Sequence, residues 1–204
     1  MTDPNSKAVV FDLGKVLLHF DFGIAAKNLA RHADATAEEI LAQINQTPHL
    51  HAYERGEVSS EAFYQNIGTL CGYHESFEVF SNDFADIFEE WDVMVEFMRS
   101  LKSKQVPIMV FSNTNEIAVS FIRETYPFFN EFDHHCYSYE HGMMKPTSAL
   151  YEKVEQILGR QGKDLFFIDD KAENVEAAIE RGWSGQIHIH PEETIPAVKK
   201  WLNS

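Results

Sequence analysis

Apolar runs bounded by polar residues recur along the chain. Such runs are typical of strands that are buried on both faces of a sheet. They predict strands at residues 8–11, 106–111 and 165–168, and two less apolar segments, 134–138 and 186–190, complete the set. The first run is rich in valine and ends at Asp12, and Gly14 then allows the backbone to turn sharply.

Amphipathic segments separate these strands. Apolar residues at spacings of three and four predict helices over residues 93–101, 115–125, 146–158 and 172–181, followed by a last helix that contains Val198 and Trp201. Pro146 is assigned to the first turn of its helix, where proline is tolerated. Strands that alternate with helices predict an α/β fold: a doubly wound, Rossmann-like parallel sheet of about five strands.

Residues 20–90 have a different pattern, with helix signals and no convincing strand from residue 23 onwards. Thr36 and Glu39 form a capping box, and Ser59 or Ser60 caps a later helix. A phenylalanine-rich stretch from Phe77 to Phe88 predicts one more helix with a core-facing stripe. The chain is therefore predicted to hold an α/β core at 1–19 and 91–204 and a helical cap inserted at 20–90.

Composition narrows the classes of function. The 204 residues are 44% hydrophobic and 13% aromatic, enough to fill a substantial core. The formal net charge of −15 disfavours nucleic acid and anionic membranes as partners. Cys71 and Cys136 have no metal-binding spacing and indicate reduced thiols. Together with the lack of a signal-like or membrane-spanning stretch, this predicts a cytoplasmic protein.

Polar residues with catalytic potential fall at four loci: Asp12, Ser112-Asn113, Lys145 and Asp169-Asp170. Three of these loci come where an apolar run ends, and ligands of open α/β sheets bind at the carboxyl ends of strands. Each locus alone is consistent with a helix cap or a solvated loop residue. The four in this order indicate a single site.

The four loci together suit phosphoryl transfer. A phosphate monoester dianion repels an attacking carboxylate, so its charge must be neutralised first. Carboxylates of Asp12, Asp169 and Asp170 suit a hard cation such as Mg²⁺. Lys145 adds a fixed positive charge, and the Ser112 hydroxyl with nearby backbone N–H groups can bind the non-bridging oxygens.

The motifs that carry these residues resemble those of the haloacid dehalogenase superfamily of hydrolases. They are residues 11–16 (FDLGKV), 111–115 (FSNTN), 142–146 (GMMKP) and 167–174 (FIDDKAEN), and residues 53–59 (YERGEVS) resemble the cap of the bacterial α-D-glucose-1-phosphate phosphatase branch. The resemblance implies a phosphatase acting on a small phosphorylated metabolite, with a sugar phosphate favoured, through an aspartyl-phosphate intermediate.

The resemblance also implies a role for each matching residue. Asp12 is the nucleophile and a Mg²⁺ ligand, and Gly14 offers its backbone carbonyl to the metal. Ser112 and Asn113 bind phosphate, and Lys145 neutralises it. Asp169 and Asp170 hold the metal, and the motif does not say which of them is the direct ligand.

Gly14 departs from the family pattern. Most phosphatases of the superfamily have a second aspartate there, whose side chain protonates the leaving group and later activates water. Such assistance is worth about 10²–10⁴-fold. Replacement groups are sought after the turn or in the cap, although each of these residues is also consistent with a surface or capping role: His19, Asp21, His51, Glu54 and Glu57.

Two other functions stay open at this point. A 2-haloacid dehalogenase also lacks the second aspartate, but its chemistry needs no metal and leaves Asp169-Asp170 unexplained. A non-catalytic member that binds a phosphorylated ligand or a protein partner is suggested by Gly14 alone. The oligomeric state is not predicted.

Overall fold

The computed structural model describes residues 7–204, and a parallel sheet lies at its centre. The strands within that range are β1 (Ala8–Phe11), β2 (Leu18–Phe20), β3 (Phe88–Glu90), β4 (Ile108–Ser112), β5 (His134–Tyr137), β6 (Leu165–Asp169) and β7 (Ser184–Ile187). Five of them form the sheet in the order β5-β4-β1-β6-β7, with every neighbouring pair parallel. The predicted fold class is confirmed.

Helices cover the sheet and form the inserted segment. They are α1 (Phe22–Leu29), α2 (Ala37–Ile44), α3 (Pro48–Glu54), α4 (Ser60–Cys71), α5 (Phe77–Ala85), α6 (Asp92–Ser103), α7 (Glu116–Thr125), α8 (Ser138–His141), α9 (Ser148–Leu158), α10 (Ala172–Glu180) and α11 (Pro191–Leu202). Within the described part of the chain, no helix is both long and apolar enough to cross a bilayer.

The central strand β1 separates two apolar layers because its side chains alternate between the faces of the sheet. Val9 and Phe11 belong to the layer that α6 and α11 cover, and Ala8 and Val10 belong to the layer that α9 covers. All four residues are fully buried. Burial on both faces explains why the first strand reads as an uninterrupted apolar run.

The inserted segment has an apolar cluster of its own, built from residues between Ala25 and Ile87 with Ile117 of α7. The capping box of α2 is present: the Thr36 hydroxyl accepts from the Glu39 N–H, and the Glu39 carboxylate accepts from the Thr36 N–H at 2.8 Å. The division into a core (1–19 and 91–204) and a cap (20–90) stays a prediction. Residues 1–6, which it assigns to the core, lie outside the described range.

Two predictions about the insertion were wrong. The helix that starts at Phe77 ends at Ala85, and Phe88 lies in β3, which pairs antiparallel with β2. The spacing of Phe84 and Phe88 imitates a helical stripe because both rings pack on the cap cluster, one from a helix and the other from a strand. Strands of three residues carry too little alternation to be recognised.

Two boundaries in the core also differ from the prediction. The helix expected to open at Pro146 begins at Ser148, with Thr147 as its N-cap, because Lys145 and Pro146 belong to the loop that enters the site. The last strand covers Ser184–Ile187, where it pairs with β6, and not residues 186–190. As the edge strand it is only partly buried, so its sequence is less apolar.

Candidate active site

Three strands deliver the predicted residues to one edge of the sheet. Asp12 follows β1, Ser112 ends β4 and Asp169 ends β6. Since β1 lies between β4 and β6, these residues are neighbours, and the Asp12 N–H donates to the carbonyl of Ile168 at 2.8 Å. The order of the strands in the sheet therefore brings Asp12, Ser112 and Asp169 together. This order could not be predicted from the sequence.

Lys145 completes the group from the loop before α9. Its ammonium donates to Asp12 Oδ1 at 2.8 Å, to Asp169 Oδ2 at 2.6 Å and to the carbonyl of Phe111 at 2.9 Å. The Lys145 side chain is 1% exposed and that of Asp169 is fully buried. Burial alone lowers the pKa of Lys145, but the two carboxylates outweigh it and raise that pKa.

Asp12 is held in the same network and is 8% exposed. Burial raises the pKa of its carboxyl, Lys145 opposes the rise and Asp169 adds to it. Two carboxylates in contact with one buried ammonium leave the group net negative. A phosphate dianion therefore needs a further cation before it can approach Asp12.

Asn113 positions the lysine loop. Its side-chain carbonyl accepts from the Lys145 N–H at 2.7 Å, and its amide donates to the Lys145 carbonyl at 3.1 Å. Both ends of the Asn113 side chain are thus engaged by the backbone of Lys145. One N–H of the Asn113 amide and its backbone N–H stay available to a phosphate, and the buried Ser112 hydroxyl has a single contact within residues 7–204, to the Asn113 carbonyl at 3.4 Å.

Asn174 is a site residue whose role was not predicted from the sequence. Its amide donates to both oxygens of Asp169, at 2.9 and 3.1 Å, from the first turn of α10. The Lys171 N–H donates to Asp169 Oδ1 at 2.8 Å. Asn174 could have been found from its spacing of five residues from Asp169. Across a tight strand-to-helix turn, this spacing brings the Asn174 side chain back to the end of the strand.

The carboxylates of Asp12, Asp169 and Asp170 converge, each offering one oxygen within 4.8 Å of the others. Three anionic oxygens of this kind fit a hard divalent cation. The side-chain carbonyl of Asn174 is buried beside them with no hydrogen-bond partner among the described residues, which a metal-bound water would supply. The donor set therefore fits Mg²⁺.

Asp170 differs from Asp169 in its freedom to bind. Its side chain is 19% exposed, and its nearest cation is the Lys15 ammonium at 3.7 Å. Burial and the neighbouring Asp169 raise the pKa of Asp170, and Lys15 opposes the rise. Within residues 7–204 the hydrogen bonds to these two carboxylates go to Asp169, so Asp170 keeps more of its oxygen lone pairs open.

A cavity of about 320 Å³ lies between this edge of the sheet and the inserted helices. Its base holds Asp12, Lys145 and Asp170. Its lining includes both apolar and polar residues: Phe20, Phe22, Phe84, Ile87 and Phe88, and Asn45, Gln46, His51 and Glu54. The insertion thus supplies much of the surface around the site.

The five candidates for the missing acid–base group separate in the structure. His51 and Glu54 line the cavity. His19 stacks on Trp91 with ring centroids 4.3 Å apart, and Asp21 caps α1 by accepting from the Gly23 N–H at 2.7 Å. Glu57 accepts from the Arg55 guanidinium at 2.7 Å on the surface.

Phe20 occupies the space that a side chain at position 14 would take. A Cβ on Gly14 would lie 2.6 Å from Phe20 Cε1, so the ring would have to move. We predict that Gly14→Ala lowers the free energy of unfolding by about 1–3 kcal/mol, measured by urea denaturation. The same substitution in a Phe20→Leu background should cost less, and equal costs in both backgrounds would contradict this assignment of the strain.

Comparison with protein families gives a match over most of the chain. Residues 6–182 match the model of a hydrolase family described as haloacid dehalogenase-like hydrolase. A D-ribitol-5-phosphate phosphatase of Bacteroides thetaiotaomicron is 26% identical over 184 residues, covering 87% of this chain and 89% of that protein. A sesquiterpene phosphatase of Aspergillus oryzae is 26% identical over 194 residues, covering 90% and 89%.

Solved structures with the same fold include a complex with ligands. A haloacid dehalogenase family enzyme of Bacteroides thetaiotaomicron, crystallised with magnesium and inorganic phosphate, superposes with a TM-score of 0.79. It is 21% identical and covers 92% of this chain and 98% of its own. At this identity the likeness establishes the fold.

Proposed function

The chain belongs to the haloacid dehalogenase-like hydrolase family, and on this premise we propose that it is a Mg²⁺-dependent phosphatase acting on a small phosphorylated metabolite. The observation that carries the proposal is the buried group of Asp12, Lys145 and Asp169 with Asp170 beside it, at a cavity between the sheet edge and the inserted segment. Two similar proteins with different substrates are both phosphatases, which supports the reaction type and leaves the leaving group open.

We assign the roles from the matching motifs, and the contacts of Asp12 and Lys145 support them. An oxygen of Asp12 attacks phosphorus and the bond to the leaving oxygen breaks, which leaves an aspartyl phosphate that water then hydrolyses. Lys145 and the Ser112 hydroxyl balance the charge on the phosphoryl oxygens. Bound Mg²⁺ would be held by Asp12, Asp170, Asp169 and the carbonyl of Gly14, and it would supply charge neutralisation at the phosphate.

A sugar phosphate is the substrate class we favour. The polar lining residues Asn45, Gln46, His51 and Glu54 offer hydrogen-bond donors and acceptors to hydroxyl groups. Similarity to a D-ribitol-5-phosphate phosphatase supports a polyol or sugar leaving group. The apolar part of the lining makes prenyl and aryl phosphates a necessary part of any substrate panel.

The alternatives make different demands on the same cavity. Dehalogenation needs a cationic group for the halide and the substrate carboxylate but no metal, and lysines of the cavity lining meet the first demand. It leaves Asp169 and Asp170, which converge with Asp12, without a role. A non-catalytic binding protein would not need Asp12 as a nucleophile.

A panel of phosphate esters tests the proposal. The purified protein is assayed with sugar, polyol, prenyl and aryl phosphates in Mg²⁺ and in EDTA, with 2-chloropropionate as a separate arm. We expect phosphate release from at least one ester in Mg²⁺ and none in EDTA. Halide release that EDTA does not affect would favour a dehalogenase, and ligand binding without turnover would favour a binding protein.

Metal activation should respond to the acidic pair. We predict that Asp170→Asn raises the Mg²⁺ concentration for half-maximal activity more than Asp169→Asn does, because Asp169 already accepts from Lys145, Lys171 and Asn174. The measurement is a Mg²⁺ titration of each variant. Glu173→Gln, a carboxylate of the same segment outside the converging set, is the control, and unchanged midpoints in both aspartate variants would contradict the metal assignment.

A further inference from the structure

The reaction requires a proton for the leaving oxygen, and position 14 cannot supply it. Gly14 has no side chain, and Phe20 fills the space beside it. We propose, building on the phosphatase function above, that Glu54 of the inserted segment is the general acid and base of this site. The group would come from the end of α3, in the inserted segment.

Glu54 lines the same cavity as the reacting group. It shares the lining with Asp12, Ser112 and Lys145, and it is half-buried there. In-line displacement places the attacking and leaving oxygens on opposite sides of phosphorus, so the leaving oxygen points away from Asp12. Asp12 comes from the edge of the sheet and Glu54 from the inserted segment, so the two carboxyls reach the cavity from different parts of the fold.

The segment that carries Glu54 is bound to the core by its backbone. The Ser138 hydroxyl donates to the Glu54 carbonyl at 2.6 Å and accepts from the Thr114 N–H at 2.9 Å. Thr114 follows Ser112 and Asn113 directly, so a single hydroxyl links the end of α3 to the phosphate-binding end of β4. The position of Glu54 is therefore fixed relative to the phosphoryl group.

The residues on either side of Glu54 are fixed in the same way. The Tyr53 hydroxyl accepts from the Ile117 N–H at 3.1 Å and bonds to the Ser60 hydroxyl at 2.7 Å. Gly56 has φ +67°, and a Cβ there would lie 2.1 Å from the Tyr139 carbonyl oxygen. Only glycine permits such a close approach, so this turn is built to lie against the core.

Charged groups around Glu54 suit a residue that exchanges a proton. Arg55 and His51 belong to the same end of α3 as Glu54. The core contributes the other charged groups: Asp12, Lys145, Asp170, Lys15 and Lys171. Burial raises the pKa of Glu54 to about 7, Lys171 and Arg55 oppose the rise and Asp12 adds to it. A carboxyl with a pKa near neutrality can both donate and accept a proton at physiological pH.

The proton balance of the two steps is closed. In the first step Asp12 forms a bond to phosphorus, the bond from phosphorus to the leaving oxygen breaks, and the proton of the Glu54 carboxyl goes to that oxygen to give an alcohol. In the second step water attacks phosphorus, its proton goes to the Glu54 carboxylate, and the bond from phosphorus to Asp12 breaks. Glu54 ends the cycle protonated and Asp12 ends it free.

Two esters of similar size test the assignment. p-Nitrophenyl phosphate has a leaving group that needs no proton, and benzyl phosphate releases an alkoxide that does. In Glu54→Gln we expect kcat/KM for benzyl phosphate to fall by about 10²–10⁴-fold, with little change for p-nitrophenyl phosphate. Rapid acid quench during p-nitrophenyl phosphate turnover should also show accumulated phosphoenzyme, because water lacks its base.

Matched variants keep the outcome decisive. Glu57→Gln changes an exposed glutamate three residues further on and should leave both esters unaffected. Equal loss on the two esters, no loss on either, or selective loss in His51→Asn in place of Glu54→Gln would overturn the assignment. If the wild-type protein hydrolyses neither ester, an aryl and an alkyl phosphate of the panel that it does hydrolyse take their place, and release of phosphate from no ester of the panel in Mg²⁺ would overturn the phosphatase function itself.

Discussion

Asp12→Asn is expected to lower kcat by at least about 10⁴-fold on every phosphate ester that the protein hydrolyses. An amide oxygen is a poor nucleophile and a weaker ligand for a hard cation, so the substitution removes both roles at once. The amide has the shape of the carboxylate and can still accept from Lys145, which leaves the fold intact. Steady-state release of phosphate at saturating Mg²⁺ measures the effect.

Asp21→Asn is the matched control for this variant. Asp21 lies after the same turn but caps α1, where asparagine is an equally good cap, and it does not line the cavity. We expect wild-type turnover from it. A tenth of the wild-type kcat retained in Asp12→Asn would rule out Asp12 as the nucleophile.

Lys145→Met is expected to abolish turnover and to destabilise the protein. The Lys145 side chain is 1% exposed and its ammonium contacts two carboxylates, so its loss leaves Asp12 and Asp169 as buried anions without their shared cation. Breaking a buried pair in this way costs about 3–5 kcal/mol. Urea denaturation in EDTA measures the loss of stability, and phosphate release measures the loss of activity.

Added Mg²⁺ separates the two effects of Lys145→Met. A divalent cation among the three carboxylates replaces much of the missing charge, so stability should recover with Mg²⁺ while activity does not. Lys153→Met, which removes a half-buried lysine of α9 whose ammonium donates to Gln156, should change neither quantity. Wild-type stability of Lys145→Met in EDTA would show that the buried ion pairs do not hold this edge of the sheet together.

The sheet and the residues at its edge could be predicted because each depends on a local signal. Residues 8–11 and 165–168 are apolar throughout since both faces of those strands are covered, and the carboxyl ends of parallel strands meet at one edge. Lys145 was recognised from its motif alone. The position of Lys145 in the site depends on two hydrogen bonds between its backbone and the Asn113 side chain. No local sequence pattern predicts these bonds.

The parts that escaped prediction depend on contacts between distant segments. β2 and β3 are three residues long and are stable only as a pair, so neither is recognisable alone. Among five possible acid–base residues, the sequence offered no reason to prefer Glu54. Glu54 differs from the other candidates because Ser138 and Tyr139 hold its turn against the core. These two residues are more than eighty positions away along the chain.

Identification of the phosphorylated residue tests the central claim most directly. The protein is mixed with p-nitrophenyl phosphate, quenched with acid within the first turnovers and digested, and the peptides are examined by mass spectrometry. We predict a phosphoryl group on Asp12 in Mg²⁺, and none in EDTA or in the Asp12→Asn variant. Mg²⁺-dependent release of phosphate with no phosphoryl group on Asp12, or with one on another residue, would contradict it.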